Sequence, residues 1–273
     1  MNIIKPPLLK YGDTIGILAT SGCMEDDANL KRAVKFFKDK GFNIKLSNNV
    51  YSKYSYLAGS DDERVSAIHD MFLDKSVNAI IALRGGYGAI RLLNKINYDI
   101  IRNNPKIFCG YSDITALNAM FLKQANLMTY SGPMALSDFG VENICEYTIE
   151  SFFNAVMYDK FEFKGKFFGG NLATLSSLCG LDFVPDFKFD FFVEDINEPV
   201  YKIDKMMRQL INIEQFRKNI KTIYLGEFLG LDDINDFNIL FNDISNELQV
   251  PLIKDFPASH GIKKATIPYG FSI

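Results

Sequence analysis

The sequence predicts an α/β fold built on a mainly parallel sheet. Three observations predict it. Short unbroken apolar runs recur through the first half, at Thr14–Ala19, Asn78–Leu83 and Lys106–Cys109. Such runs suit strands buried on both faces. Each is followed by a glycine-containing turn and a helix-like segment, the rhythm of βαβ units. The third is bulk: 273 residues, 48% apolar and 23% charged, are ordinary globular usage, with room for one large domain or two smaller ones.

In order along the chain, Thr14–Ala19 is a buried strand ended by Ser21-Gly22. Asp26–Lys40 reads as a helix, with Leu30, Val34, Phe36 and Phe37 apolar. Asn43–Leu46 is a second strand. Asp61–Leu73 is a helix whose opening acids suit the positive end of its dipole. Asn78–Leu83 and Lys106–Cys109 are further strands. The pattern changes after about Tyr158, which places a boundary near 157–161 and divides the chain into 1–158 and 159–273. Phe161–Phe168 alternates like a strand, and Gly169-Gly170-Asn171 punctuates it. Phe191–Val193, Thr222–Leu225 and Pro251–Ile253 read as strands. Tyr201–Leu210 and Asp236–Leu248 read as helices. The acidic run Asp232–Asp236 lacks the central glycine of a calcium loop and reads as a solvated helix start.

Composition excludes several function classes. A net charge of −3 and a pI near 5.5 argue against nucleic acid as a partner. No apolar run approaches the roughly 20 residues of a membrane span, and Pro6-Pro7 interrupts the only candidate for a leader. Cys23, Cys109, Cys145 and Cys179 are scattered, as reduced cytoplasmic thiols are. Two histidines and no paired cysteines are poor material for a zinc site.

Four segments could carry chemistry. Gly110-Tyr111-Ser112-Asp113 follows the run KIFC and precedes a helix-like stretch. A serine at such a turn presents its hydroxyl at the carboxyl edge of the sheet. Equally, Ser112 or Asp113 could be only a helix N-cap. Arg84-Gly85-Gly86-Tyr87-Gly88 also ends a strand. Its glycines let backbone N–H groups approach a ligand, either as a phosphate cradle or as half of an oxyanion hole, or else they form only a tight turn. No glycine follows to complete a dinucleotide fingerprint. Glu194, the first polar residue after Phe191–Val193, could orient a histidine, or the run to Pro199 could be a helix start capped by Asp195 or Asn197. His260 lies in the small-residue loop Pro257–Gly261, where a catalytic base is often found. His69 lies inside an acidic helix and reads as solvated or ion-paired.

Taken together, these segments resemble the LD-carboxypeptidases, a serine peptidase family acting on muropeptides. The match runs in order through GDTIGILATSG (12–22), RGGYGAIRLL (84–93), NPKIFCGYSDITAL (104–117) and GPM (132–134). It continues through GGNLATLSSLCG (169–180), VEDINEPVYKIDKMMRQL (193–210) and SHGIKKATIPYG (259–270). The resemblance implies a doubly wound N-terminal domain carrying the nucleophile, a smaller C-terminal α/β domain, and an active site in the cleft between them. It implies Ser112 as nucleophile, Glu194 as the residue holding the histidine, and His260 as base. The backbone N–H of Asp113 and of Gly85 or Gly86 would form the oxyanion hole. Arg84 and Tyr111 are candidates to contact substrate, and Arg208 is a second candidate for anion recognition. The family further implies a cytoplasmic homodimer without metal or cofactor. Its reaction cuts the bond from the L-centre of a diamino acid to a terminal D-alanine in peptidoglycan recycling. Ser259 stands where the family usually has glycine, and the chain stops at Ile273, where relatives tend to run on through another strand.

Two other functions compete. A branch of the same family confers microcin immunity by hydrolysing peptidyl or aminoacyl nucleotides. It would need an aromatic surface for a base, which this chain, having no Trp, would have to build from Phe or Tyr. A non-catalytic two-lobed protein closing on a small ligand would have no reason to keep Ser112 and His260 together.

Overall fold

The structure, a computed structural model, describes residues 2–270. The first half forms strands β1 (Thr14–Leu18), β2 (Asn43–Leu46), β3 (Val77–Ala82), β4 (Ile107–Cys109) and β5 (Tyr130–Ser131). They are parallel, in the order 5-4-3-1-2. Helices α1 (Ala28–Asp39), α2 (Asp61–Leu73), α3 (Tyr98–Asn103), α4 (Thr115–Ala125) and α5 (Glu146–Tyr158) flank the sheet. Strand alternation decides which helix covers which face. Ile15, Ile17, Ala79 and Ile81 pack with Leu30 and Phe37 of α1 and Phe152 of α5. Ile80, Ala82 and Phe108 pack with Ile68 and Phe72 of α2 and Leu117 and Phe121 of α4. Both faces are covered, so the sheet is doubly wound. Its winding reverses between β1 and β3, and a crevice opens there at the carboxyl ends of the strands.

Helix α2 has the bounds expected from sequence. The Ser60 hydroxyl accepts from the Glu63 N–H while the Glu63 carboxylate accepts from the Ser60 N–H. Such a cap contributes about 1 kcal/mol.

The second sheet comprises β6 (Phe167–Asn171), β7 (Phe189–Ile196), β8 (Ile220–Leu229) and β9 (Leu252–Ile253), parallel in that order. Helices α6 (Leu172–Ser176), α7 (Val200–Ile211), α8 (Glu214–Asn219) and α9 (Ile234–Leu248) connect them. Asp233 caps α9 by accepting from the Asn235 and Asp236 N–H groups, so the acidic run is a helix start. Asp232 accepts from the Val200 N–H at the start of α7.

One expectation fails here. The alternating stretch from Phe161 becomes strand only at Phe167, and Gly169-Gly170-Asn171 lies inside β6 instead of ending it. The reason is contact with the neighbouring strand. A β-carbon on Gly169, whose φ is +153°, would lie 1.8 Å from the Phe192 carbonyl oxygen.

The chain then returns to the first sheet. Strand β10 (Ile267–Pro268) pairs antiparallel with β5. The apolar core is also shared, since Leu117 and Phe121 of α4 belong to one cluster with Phe167, Phe168 and Phe192. The residues past 270, where a further strand was in question, lie outside those described. No helix among the described residues is long and apolar enough to cross a membrane.

Candidate active site

Four segments at the carboxyl edge of the first sheet, following β1, β3, β4 and β5, and one loop from the second meet at a cavity of about 370 Å³. Ser112 follows β4 by a sharp turn and has φ +61°. That left-handed backbone costs a non-glycine residue roughly 1–2 kcal/mol. The strain throws its side chain out of the sheet edge before a 3₁₀ turn (Ser112–Ile114) runs into α4. Asn118 braces the turn, its side-chain amide donating to the Gly110 carbonyl at 2.9 Å.

Asp113 does not cap α4. Its buried carboxylate accepts from the Ala89 N–H at 2.8 Å, which ties the turn after β4 to the turn after β3. Burial pushes its carboxyl above the usual range, opposed by hydrogen bonds from Ser21 and from the Ala89 and Gly88 N–H groups, and by the Arg64 charge. Within the β3 turn, Gly85 packs directly on Ser112, and the site its β-carbon would occupy is 3.5 Å from the Asp113 nitrogen. Arg84 lines the cavity beside it, held by an Nη1–H bond to the Cys23 carbonyl at 3.1 Å.

Successive residues of β7 diverge. Glu194 is buried, and its Oε2 is 2.5 Å from His260 Nδ1. Asp195 accepts from the Asn171 side-chain amide at 2.9 Å and from the Ala173 and Ile196 N–H groups at 2.8 Å. It anchors the β6–α6 turn, so neither it nor Asn197 starts α7, which is preceded by Pro199.

Burial pulls the His260 imidazole down. The hydrogen bond and charge of Glu194, with the charge of Asp195, outweigh that and the opposing Lys264, so it titrates above its ordinary 6.5. The Tyr111 ring meets the imidazole edge-on at 5.1 Å. The Lys264 ammonium lies 4.6 Å from the Tyr111 ring centre and is paired with buried Asp138. Asp138 also accepts from the Met134 N–H at 2.8 Å.

The cavity thus brings together Ser112, His260, Arg84, Gly85, Gly86 and Tyr111, with Glu194 behind the imidazole. His69 is elsewhere, its Nε2 accepting from the Asn97 N–H at 2.9 Å. Arg208 is also elsewhere. It is paired with Asp204 at 3.1 Å and with Glu247, an ordinary surface network and no anion site. Sequence reasoning missed the Asp138–Lys264 pair, whose partners are 126 residues apart with no motif linking them. Met24, Glu25, Asp26 and Asn29 also line the cavity. No group of three or more His, Cys, Asp and Glu side chains able to hold a metal occurs among the described residues. A serine hydroxyl sharing a cavity with an imidazole held by a buried carboxylate is the equipment for nucleophilic attack on a carbonyl.

Comparison with known proteins shows what the chain is similar to. A probable murein peptide carboxypeptidase of Bacillus subtilis is 35% identical over 222 residues, 76% of this chain and 69% of the relative. The microcin C7 self-immunity protein MccF of Escherichia coli is 25% identical over 97% of this chain and 91% of its own length. The crystal structure of muramoyltetrapeptide carboxypeptidase from Oxalobacter formigenes superimposes with a TM-score of 0.85 at 29% identity, covering 94% of this chain and 92% of that one. Residues 15–132 match the LD-carboxypeptidase N-terminal domain, and residues 164–273 match its C-terminal domain. With both halves matched in order, the chain belongs to the LD-carboxypeptidase family.

Proposed function

We propose that this protein is a serine carboxypeptidase that removes the terminal D-alanine of muropeptide tetrapeptides, cutting the bond from the L-centre of the diamino acid. The observation that carries the reading is the 2.5 Å contact of His260 Nδ1 with buried Glu194, in a cavity that also holds Ser112. The names of relatives that act on murein peptides support the substrate class.

In this mechanism Ser112 Oγ attacks the scissile carbonyl carbon while His260 Nε2 takes its proton. Glu194 holds the Nδ1 proton and offsets the imidazolium charge. The N–H groups of Asp113 and of Gly85 or Gly86 donate to the oxyanion, for roughly 3–4 kcal/mol each. His260 returns the proton to the departing amine of D-alanine. A water molecule then repeats the sequence on the acyl-enzyme and frees Ser112. Arg84, half-buried in the cavity wall, binds the terminal carboxylate, and Tyr111 forms the wall beside the imidazole. We extend the proposal to a role in peptidoglycan recycling, carried out by a cytoplasmic homodimer.

A second reading, hydrolysis of aminoacyl or peptidyl nucleotides, draws on one observation. Tyr87, in the turn beside Arg84, and Tyr56 are both exposed with ring centres 6.0 Å apart, an aromatic surface on which a base could stack. The test is mass spectrometry of the wild type and Ser112→Ala against three substrates. These are a tetrapeptide ending in D-alanine, the same peptide ending in L-alanine, and an aminoacyl-sulfamoyl nucleoside. Release of D-alanine by the wild type alone supports the first reading. Cleavage of the nucleoside alone supports the second, and tight binding without cleavage overturns both.

A further inference from the structure

Ser259 occupies the position where the family resemblance leads one to expect glycine, and its hydroxyl is fully engaged. It accepts from the Gly261 N–H at 2.6 Å and donates to the Glu227 carboxylate. The Glu227 N–H, for its part, donates to the Ala258 carbonyl at 2.9 Å. Two consecutive loop residues, 258 and 259, are therefore fastened to one residue of β8, and the hydroxyl also holds the peptide on the far side of His260. Space is tight around this clasp. A β-carbon on Gly261 would lie 2.7 Å from Glu227 Oε2 and 2.9 Å from Ser259 Oγ. Ser259 is buried, so its bond to a carboxylate competes little with water.

We infer that Ser259 and Glu227 are a positioning pair that sets the orientation of His260 toward Glu194, in the catalytic reading given above. Neither side chain lines the cavity that Ser112 and His260 share. Their action runs through the loop. A glycine at 259 would leave the His260 backbone held by main-chain bonds alone, with more conformations to lose on each turnover. With the hydroxyl present, the imidazole is pre-organised for a contact as short as 2.5 Å.

The charged and polar groups that face His260 are Glu194 and Asp195 on β7, Lys264 further along its own loop, and Tyr111 after β4, while Glu227 on β8 meets the neighbouring Ser259. Ser259→Ala changes none of these charges, so any change in the titration of His260 reports geometry. The chain has two histidines, His69 and His260, so an NMR titration of the full-length protein yields two imidazole curves, with His69 as internal reference.

The expected result for Ser259→Ala has three parts. The His260 midpoint moves down toward the free value of about 6.5. The His69 curve stays in place, and kcat falls about tenfold or more with KM nearly unchanged. Ser259→Thr, which keeps a hydroxyl, restores both readouts. If Ser259→Ala does not fold, Glu227→Gln loosens the same clasp from the other side and is read by kcat and KM. An unmoved His260 midpoint with wild-type kcat in Ser259→Ala overturns the inference, as does wild-type kcat in Glu227→Gln. The NMR readout needs no substrate. If Ser112→Ala keeps full activity while the Ser259→Ala midpoint moves, the catalytic reading has failed and the positioning pair stands.

Discussion

The α-carbon of Gly85 lies against the side chain of Ser112 so closely that a β-carbon on Gly85 would be 2.9 Å from both the Cβ and the Oγ of the serine. The turn after β3 is therefore the floor on which the hydroxyl rests. Gly85→Ala must displace one of the two, and a misplacement of about 1 Å can cost around 10²-fold in rate. We expect kcat/KM to fall by about that factor with little change in thermal midpoint, measured by D-alanine release and by thermal unfolding. Wild-type kinetics in Gly85→Ala would show that the hydroxyl does not need this floor.

Ser112→Ala should lower turnover by about 10³-fold or more with folding intact. Ser112→Gly should be equally inactive and yet at least as stable. Glycine takes φ +61° without the steric cost that serine bears, so the midpoint of urea unfolding should hold or rise. A variant with half the activity sinks the nucleophile assignment.

His260 must be neutral to accept a proton. Because Glu194 and Asp195 raise its titration above 6.5, activity should fall as pH drops through a midpoint lying above that value. The sign is fixed by the charges, since the protonated form is the one they favour. His260→Ala should be as damaging as Ser112→Ala. His69→Ala should leave kcat near wild type, because His69 only accepts a backbone hydrogen bond at the start of α3. A pH–rate profile with its acid limb well below 6.5 would contradict the assigned environment.

Lys264→Met should destabilise the protein by about 3–5 kcal/mol, because it strands the buried Asp138 carboxylate without its cation. The double variant Lys264→Met with Asp138→Leu should recover much of that loss. Urea unfolding of the two variants checks this, and equal stability of the single and double variants would refute it.

Much of this arrangement was legible in the sequence. The parallel strands of the first sheet announced themselves because both their faces are buried, which leaves unbroken apolar runs such as NAIIAL. The start of α2 was legible because its opening acids, Asp61, Asp62 and Glu63, mark the positive end of a helix dipole by local chemistry alone. The end of the strand at Phe168 was misread because Gly169 answers to the Phe192 carbonyl of the neighbouring strand, a contact invisible to local pattern. At the site, Ser112 and His260 could be singled out from turn chemistry and motif. Glu194 was singled out through the family resemblance, but the part Asp195 plays in anchoring the β6–α6 turn could not be, because its partners Asn171 and Ala173 lie on a neighbouring strand and turn, 24 and 22 residues away. Arg208 looked available for an anion because its partner Glu247 is 39 residues away on another helix.

The return of β10 to pair with β5 also orders the protein's assembly in time. On a ribosome, Ser112 and the sheet beneath it emerge early, whereas His260 and the strand that closes the open edge of that sheet emerge together and late. Until then the edge at β5 is unpaired, and Ser112 lacks the histidine that the proposed mechanism gives it as base. Under the proposed mechanism the nascent chain would be inert toward peptide bonds until the pairing that seals the first sheet also delivers His260.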